Sequence, residues 1–217
     1  MSRAAIAGVF ALFTAGTVMQ LIEHAGDAFS QPSLRGWLVV TFWLLKVGVV
    51  SAFAYFVVMR PPARRPRRDP AAFAACGAAI VGAMLLRPPS ASGSTALLLA
   101  GDVVAVIAAG WLLVSVLALG RCFGVLPEVR GLVMRGPYRL VRHPVYLGEL
   151  AAFAGLTLAA LGPFNVICFA VLCVAQRIRM GMEERALERE FPEYGPYAAR
   201  TPRLIPWLTP PITQTQE

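Results

Sequence analysis

Long apolar segments alternate with short polar ones along the whole chain, and this alternation predicts its elements. A transmembrane α-helix needs roughly 20 predominantly apolar residues, and several of the apolar segments here approach that length. They are separated by stretches rich in Arg, Pro or Gly. The pattern predicts six apolar helices, over residues 4–22, 37–59, 71–86, 96–119, 145–161 and 164–176.

The last two apolar segments flank Gly162 and Pro163, a pair that signals a turn. At 1.5 Å per residue each of these helices reaches only roughly 20–25 Å, so together they should form a helical hairpin that barely spans a bilayer. The second arm should continue into water over residues 177–191, where charged residues replace apolar ones. The fold class is therefore an all-α integral membrane protein with about six apolar helices, including a C-terminal helical hairpin.

The first apolar segment has two interpretations. A secretory signal peptide is one, but residues 4–22 exceed a typical apolar signal region and no clear small-x-small cleavage site precedes Glu23. A retained first helix is favoured. Glu23, His24 and Asp27 then form the polar end of a span, and a metal site built from them is the weaker alternative.

Composition supports a membrane protein and its charge predicts an orientation. Of 217 residues, 57% are hydrophobic and 15% charged, with a mean hydropathy of +0.63, whereas soluble domains carry roughly 25% charge. The net charge is +8. Arginines cluster in residues 60–68 and 120–143, two alternate loops, so the positive-inside rule places both loops and both termini in the cytoplasm. The charge is therefore explained by membrane topology, and no nucleic-acid partner is expected. The tail over residues 210–217 should be disordered.

Metal chemistry is not expected, but charged residues occur within predicted spans. The four cysteines have neither metal nor redox spacing, and two histidines cannot build a His-rich site. Lys46 and Asp102 lie mid-helix, where ionisable groups usually face a partner or a cavity. Asp102 is a possible partner of Lys46, snorkelling or surface pairing is an equal alternative, and a buried pair would favour a transporter.

Residues 136–148 join an Arg-rich loop to an apolar helix, where water should meet the membrane. Because a residue before proline is pushed out of the helical region, His143 should be extended, with Pro144 at the first helical position. His143 then lies at a helix N-terminus, which attracts anions and disfavours a charged imidazole. Gly148 should leave a gap on the helix face that a ligand can approach. The alternative is a helix cap whose arginines contact lipid headgroups.

Residues 177–191 predict a helix on which Arg179 and Glu183 lie one turn apart. Such a pair can form an exposed ion pair worth about 0.2–0.5 kcal/mol, or it can present one cation and one anion to a zwitterionic ligand. A solvated helix surface is the ordinary interpretation. The ligand interpretation is favoured because of the predicted hairpin. The hairpin brings this helix to the membrane face where its first arm begins, at His143.

Several short motifs lie within residues 119–207. They are Leu119-Gly120-Arg121-Cys122-Phe123, Gly136-Pro137-Tyr138-Arg139, Arg142-His143-Pro144-x-Tyr146-x-Gly148, Glu183-Glu184-x-x-Leu187-x-x-x-Phe191 and Arg203-Leu204-Ile205-Pro206. Together they resemble the isoprenylcysteine carboxyl methyltransferase family. Phospholipid N-methyltransferases have a looser version, and some membrane sterol reductases have a similar C-terminal layout.

The resemblance implies S-adenosylmethionine (SAM) bound at the cytoplasmic side by the hairpin, the preceding loop and the final helix, with a lipophilic acceptor arriving from the bilayer. It divides the chain into N-terminal transmembrane helices (1–119) and a catalytic region (120–217). Arg179 would orient the substrate and act in catalysis with Glu183. The implied cofactor contacts are Arg130, Leu132, Val133, Tyr138, His143, Pro144, Tyr146, Glu183 and Glu184.

The requirements of methyl transfer limit the kinds of SAM site and of acceptor group that fit this chain. The chain has no Gly-rich loop between a strand and a helix, which excludes a Rossmann-type SAM site. Methyl transfer needs alignment and exclusion of water more than acid–base groups; a carboxylate nucleophile needs no base, whereas a phenol or enol would need Glu183 or His143. We therefore expect carboxyl O-methylation of an isoprenylcysteine-type substrate. The alternatives are another lipid acceptor (a phenolic or polyketide lipid, an amine headgroup or a thiol), a small membrane transporter, and a reductase that binds NADPH.

Overall fold

A computed structural model describes residues 3–59, 70–87, 94–122 and 130–206. Within these ranges every regular element is helical, which confirms the predicted all-α class. The predicted disordered tail and the Arg-rich loop over residues 60–68 lie outside the described residues. The α-helices are α1 (Arg3–Ser30), α2 (Leu34–Met59), α3 (Pro70–Met84), α4 (Thr95–Leu119), α5 (Pro144–Ala159), α6 (Pro163–Glu190) and α7 (Tyr194–Arg200), with 3-10 turns at Gly120–Cys122 and Gly136–Arg139.

The helices α2 to α5 lie close to their predicted positions, and α1 is longer than predicted. It continues past Ile22 to Ser30, so Glu23, His24 and Asp27 lie within it rather than after it. Its last turns are held by α2: the His24 ring stacks on Trp43 with 5.7 Å between centroids. Helix α6 confirms that the second hairpin arm runs on without a break, because one helix of 28 residues contains both the apolar arm and the polar segment.

Among the residues that the structure describes, three helices are long and apolar enough to cross a membrane: Leu34–Met59, Thr95–Cys122 and Pro163–Glu190, while Pro144–Ala159 is apolar but shorter. Large apolar side chains cover the outside of the three long helices, among them Ile107 (68% exposed). Such a surface suits lipid rather than water. The number of crossings and the side on which each loop lies stay predictions.

Helix α4 is central to the packing, because it contacts both α2 and α5, while α1 packs on α2 and α3 on α6. The contact between α4 and α5 is close because small residues line it. A Cβ atom added to Gly101 would lie 2.5 Å from the backbone nitrogen of Ala159, and one added to Gly155 would lie 2.6 Å from that of Ala105. Small residues allow helix backbones to approach in this way in membrane proteins.

Gly148 belongs to the same helix contact, so the gap expected beside it is absent. A Cβ atom at Gly148 would lie 2.8 Å from Cβ of Leu112, on α4. The expectation was wrong because it treated α5 alone, whereas in the folded chain α4 covers this face of the helix.

Lys46 and Asp102 are not paired with each other, as one alternative had it. Asp102 accepts a hydrogen bond from Nε of Arg35, at 3.1 Å. The Lys46 ammonium lies 4.2 Å from the centroid of the Trp43 ring, a distance typical of a cation–π contact. At 1.5 Å per residue, Lys46 lies about 16 Å further along α2 than Arg35, so the helix places only Arg35 near Asp102.

Candidate functional site

Residues 136–144 lead into α5, and we call them the junction. Their local structure follows from their two prolines and from Gly136. Gly136 has a positive φ of 60°, a conformation that glycine adopts without strain, and it opens a 3-10 turn that buries Tyr138. Pro144 is the first residue of α5, as predicted, whereas His143, with φ −125° and ψ 61°, is outside the helical region but not in the extended conformation that was predicted. The Trp111 indole N–H donates to the carbonyl of Pro144 at 2.9 Å, which fastens the start of α5 to α4.

A segment that follows α7 lies against this junction. The backbone N–H of Arg142 donates to the carbonyl of Pro202 at 2.8 Å, and that of His143 donates to Arg203 at 3.2 Å. These bonds use N–H groups that precede the helix. As a consequence, Arg203 is brought beside His143, from which it is distant in sequence.

Glu184 is surrounded by three basic side chains, and we call these four residues the Glu184 cluster. Its Oε1 lies 3.0 Å from Nη1 of Arg142 and 3.0 Å from Nε2 of His143, and its Oε2 lies 2.8 Å from Nη2 of Arg203. His143 is only 3% exposed. Both carboxylate oxygens of Glu184 are therefore engaged in joining α6 to the junction and to the C-terminal segment.

Glu183 faces a different set of groups, although it adjoins Glu184 in sequence. Its Oε2 accepts a hydrogen bond from the hydroxyl of Tyr146 at 3.0 Å. The Arg179 guanidinium lies 5.1 Å from the centroid of the Tyr146 ring, and the His143 ring meets the same tyrosine edge-on at 5.4 Å. A cation, an anion and two aromatic rings thus share one site between α5 and α6, which we call the Arg179 site.

Two buried tyrosines join α7 to the 3-10 turn at Gly136. The hydroxyl of Tyr197 donates to the carbonyl of Tyr138 at 2.7 Å. Burial raises the pKa of Tyr197 to about 12 despite the opposing charge of Arg142. Burial, and after it the charge of Glu183, raises the pKa of Tyr138 well above its usual range. Both hydroxyls are therefore neutral near pH 7.

The remaining predicted residues lie in the extended segment that precedes the turn at Gly136. Leu132 packs against the aromatic cluster of Phe191, Tyr194 and Tyr197. Arg130 and Val133 are partly buried in the same segment. The fold therefore gathers His143, Tyr146, Glu183 and Arg179 at one place.

Two polar residues of the site were not predicted, Glu149 on α5 and Gln176 on α6. The amide of Gln176 donates to Oε2 of Glu149 and accepts from Nη1 of Arg179, the latter at 2.8 Å. The signal was present in the sequence, because a carboxylate within an apolar helix is costly unless it has a partner. Its partner was not evident, because it lies on another helix.

The donors and acceptors present fit a ligand that carries both signs of charge, as SAM does. Glu183 supplies a carboxylate next to aromatic rings. The Nε–H groups of Arg142 and Arg203 are buried and have no hydrogen-bond partner among the described residues. Unpaired buried donors are costly, so an anionic group such as the carboxylate of a bound amino acid would suit them.

A family model, PEMT (phospholipid methyltransferase), matches residues 90–194. This range contains α4, α5 and α6, and with them Arg179, Glu183, Glu184 and the junction at His143. Arg203 lies beyond it.

Three relatives were also found. Protein-S-isoprenylcysteine O-methyltransferase B of Arabidopsis thaliana is 33% identical over 103 residues, 43% of this chain and 51% of the relative. The nickel-cobalt-cadmium resistance protein NccN of Alcaligenes xylosoxydans xylosoxydans is 33% identical over 116 residues (48% and 52%). The cobalt-zinc-cadmium resistance protein CzcN of Cupriavidus metallidurans is 34% identical over 106 residues (46% and 49%). The chain thus spans about half the length of these relatives, and the resemblance predicted from the motifs is confirmed.

Proposed function

We propose, from the match of residues 90–194 to the phospholipid methyltransferase family model, that this chain is a membrane methyltransferase that takes its methyl group from SAM. The acceptor is a lipophilic molecule that arrives from the bilayer. The observation that carries the proposal is the Arg179 site, where Arg179, Tyr146 and Glu183 converge beside His143. When bound, SAM supplies an electrophilic methyl group on a sulfonium, which is transferred by in-line displacement.

Each residue of the site has a role in binding or orientation. Glu183 provides negative charge for the cationic groups of the donor, and the hydroxyl of Tyr146 holds its carboxylate in place. The Glu184 cluster fastens α6 to the junction, and its buried N–H groups face anionic groups of the donor. Arg179 receives the acceptor. Methyl transfer depends on such alignment and on exclusion of water.

The acceptor group is, in our proposal, a carboxylate of the isoprenylcysteine type. A carboxylate is nucleophilic at neutral pH without a general base, and Arg179 offers the cation that would bind it. The plant relative is named a protein-S-isoprenylcysteine O-methyltransferase. SAM would reach the site from the cytoplasm, on the side where the Arg-rich loops are predicted to lie.

Ligand binding and product analysis test this proposal. The detergent-purified chain is titrated calorimetrically with SAM and with S-adenosylhomocysteine, and membranes that contain it are incubated with methyl-labelled SAM. We expect both ligands to bind and a base-labile methyl ester to appear on a lipophilic product. Binding of neither ligand would contradict the proposal and favour a transporter, and binding of NADPH instead would favour a reductase. A label on a phenol, an amine or a thiol would keep the methyltransferase and change the acceptor.

A role in metal resistance is a second candidate function, favoured by the two relatives that are named for it. In this case the chain would methylate a membrane component that affects tolerance of cobalt, cadmium or nickel. A metal-sensitive host expressing the chain should then grow at higher cobalt concentrations than one expressing Arg179→Ala. Equal growth of the two strains would reject this role and leave the methyltransferase proposal intact.

A further inference from the structure

A chain of hydrogen bonds runs behind Arg179 and joins α5 to α6. It starts at Glu149, whose carboxylate accepts from the amide nitrogen of Gln176, and continues from the amide oxygen of Gln176 to Nη1 of Arg179 at 2.8 Å. Gln176 is only 2% exposed. Its amide is therefore enclosed between an acidic and a basic side chain of the site.

The two end groups fix the orientation of this amide. An ionised carboxylate only accepts hydrogen bonds, and a guanidinium only donates them. Gln176 must therefore direct its NH₂ to Glu149 and its oxygen to Arg179, because the flipped amide would lose both bonds. Hydrogen bonds in such a chain polarise one another, so the bond from Gln176 to Glu149 strengthens the bond that Arg179 makes.

Arg179 is held on a second side by Tyr146. The guanidinium lies 5.1 Å from the centre of the Tyr146 ring, and that ring is fastened through its hydroxyl to Glu183. A long arginine side chain loses considerable rotamer freedom when it is ordered. Contacts on two sides order it in advance, before any acceptor binds.

We propose that Glu149 and Gln176 are positioning residues, which hold the Arg179 guanidinium in the orientation that binds the acceptor carboxylate. The inference deepens the proposed function and depends on it. Glu149 also balances the charge of Arg179 within a poorly solvated site, where an unpaired charge is costly. Neither residue touches the transferred methyl group.

The variants that test this are Gln176→Leu, Glu149→Leu and Glu149→Gln. The control is Glu188→Gln, which changes an exposed carboxylate of α6. The acceptor is an N-acetyl-S-prenylcysteine. We expect Gln176→Leu and Glu149→Leu to raise the acceptor KM about tenfold (about 1.4 kcal/mol), with a smaller fall in kcat and with S-adenosylhomocysteine affinity changed less than twofold. Glu149→Gln should recover part of the loss, because its amide oxygen still accepts from Gln176. The control should match the parent.

A double-variant cycle separates positioning from general support of the fold. If Gln176 acts through Arg179, adding Gln176→Leu to Arg179→Ala should cause no further loss, since coupled residues are non-additive. Multiplicative losses would overturn the proposal, as would an equal loss of S-adenosylhomocysteine binding. If Glu149→Leu fails to fold, Gln176→Leu and Glu149→Gln still test the positioning role.

A binding measurement without turnover distinguishes two outcomes: failure of this inference and failure of the proposed function. Calorimetry compares the N-acetyl-S-prenylcysteine acid with its methyl ester, which lacks the carboxylate charge. The parent should prefer the acid, and Gln176→Leu should lose that preference. A parent that binds S-adenosylhomocysteine but does not prefer the acid overturns the positioning role and leaves a methyltransferase, whereas a parent that binds no S-adenosylhomocysteine overturns the proposed function.

Discussion

Glu183 and Glu184 are adjacent in the sequence, yet the fold gives them different surroundings. Successive residues of a helix point about 100° apart. Glu184 therefore faces Arg142, His143 and Arg203, which occupy both of its oxygens, while Glu183 accepts from Tyr146. Glu183 thus takes no part in the ion pairs of the Glu184 cluster, whereas both oxygens of Glu184 are engaged there. Cofactor binding by either residue stays a prediction.

Substitutions at Arg179 and Glu183 should separate acceptor chemistry from donor binding. Arg179→Ala removes the cation proposed for the acceptor, so methyl transfer should fall at least about tenfold while SAM affinity is largely kept. Glu183→Ala removes the anion proposed for the donor, so SAM affinity itself should weaken. Turnover of labelled SAM and calorimetric titration measure the two effects.

The control for this pair is Arg189→Ala, because Arg189 is an exposed arginine of the same helix. It should behave as the parent does. If Arg179→Ala and Glu183→Ala both turned over labelled SAM at the parent rate, the site assignment would be wrong.

At the scale of the elements, the pair of α4 and α5 supports the site. Pro144 begins α5, the Trp111 indole fastens that start to α4, and small residues let the two helices approach closely. Helix α5 contributes Tyr146 and Glu149 to the Arg179 site. Its contacts with α4 therefore position both residues.

A larger side chain in this helix contact should destabilise the fold. Gly155→Leu would drive atoms into the backbone of α4, whose Ala105 nitrogen lies 2.6 Å from an added Cβ. Overpacking of this kind costs about 1–3 kcal/mol, measured as a lower denaturation midpoint in detergent.

Gly110→Leu is the matched control, because nothing lies within 4 Å of an added Cβ at Gly110. Its effect should stay within about 0.5 kcal/mol. Equal destabilisation by the two leucines would mean that the close helix contact does not limit stability.

At the scale of the whole molecule, the helices form an apolar exterior around a polar site. Exposed apolar side chains cover α1, α2, α4 and α6, whereas the charged groups of the site meet where α5 begins and α6 ends. A lipophilic acceptor and a water-soluble donor would therefore approach such a site from different sides.

The predicted orientation is tested by labelling single cysteines in a variant that lacks the four native ones. With both termini in the cytoplasm, a cysteine at Gln31, between α1 and α2, should react with a membrane-impermeant thiol reagent added outside intact cells. A cysteine at Ala63 should react only after the membrane is opened. The reverse result would place the Arg-rich loop outside and contradict the orientation.

The sequence by itself determined the elements of this protein and much of its site. Apolar segment lengths predicted α2 to α5 closely, Pro144 marked the start of α5, and the one-turn spacing of Arg179 and Glu183 placed them on one face of α6. These features were predictable because helix propensity, proline geometry and hydrophobic periodicity act over a few residues of the chain.

Only the tertiary structure decided which side chains meet across helices. It paired Asp102 with Arg35, filled the space beside Gly148 with Leu112, engaged Glu184 with three basic groups and placed Glu149 behind Arg179 through Gln176. Such contacts depend on the depth and rotation of each helix relative to its neighbours. Packing of the whole bundle sets both quantities, and no local pattern in the sequence contains them.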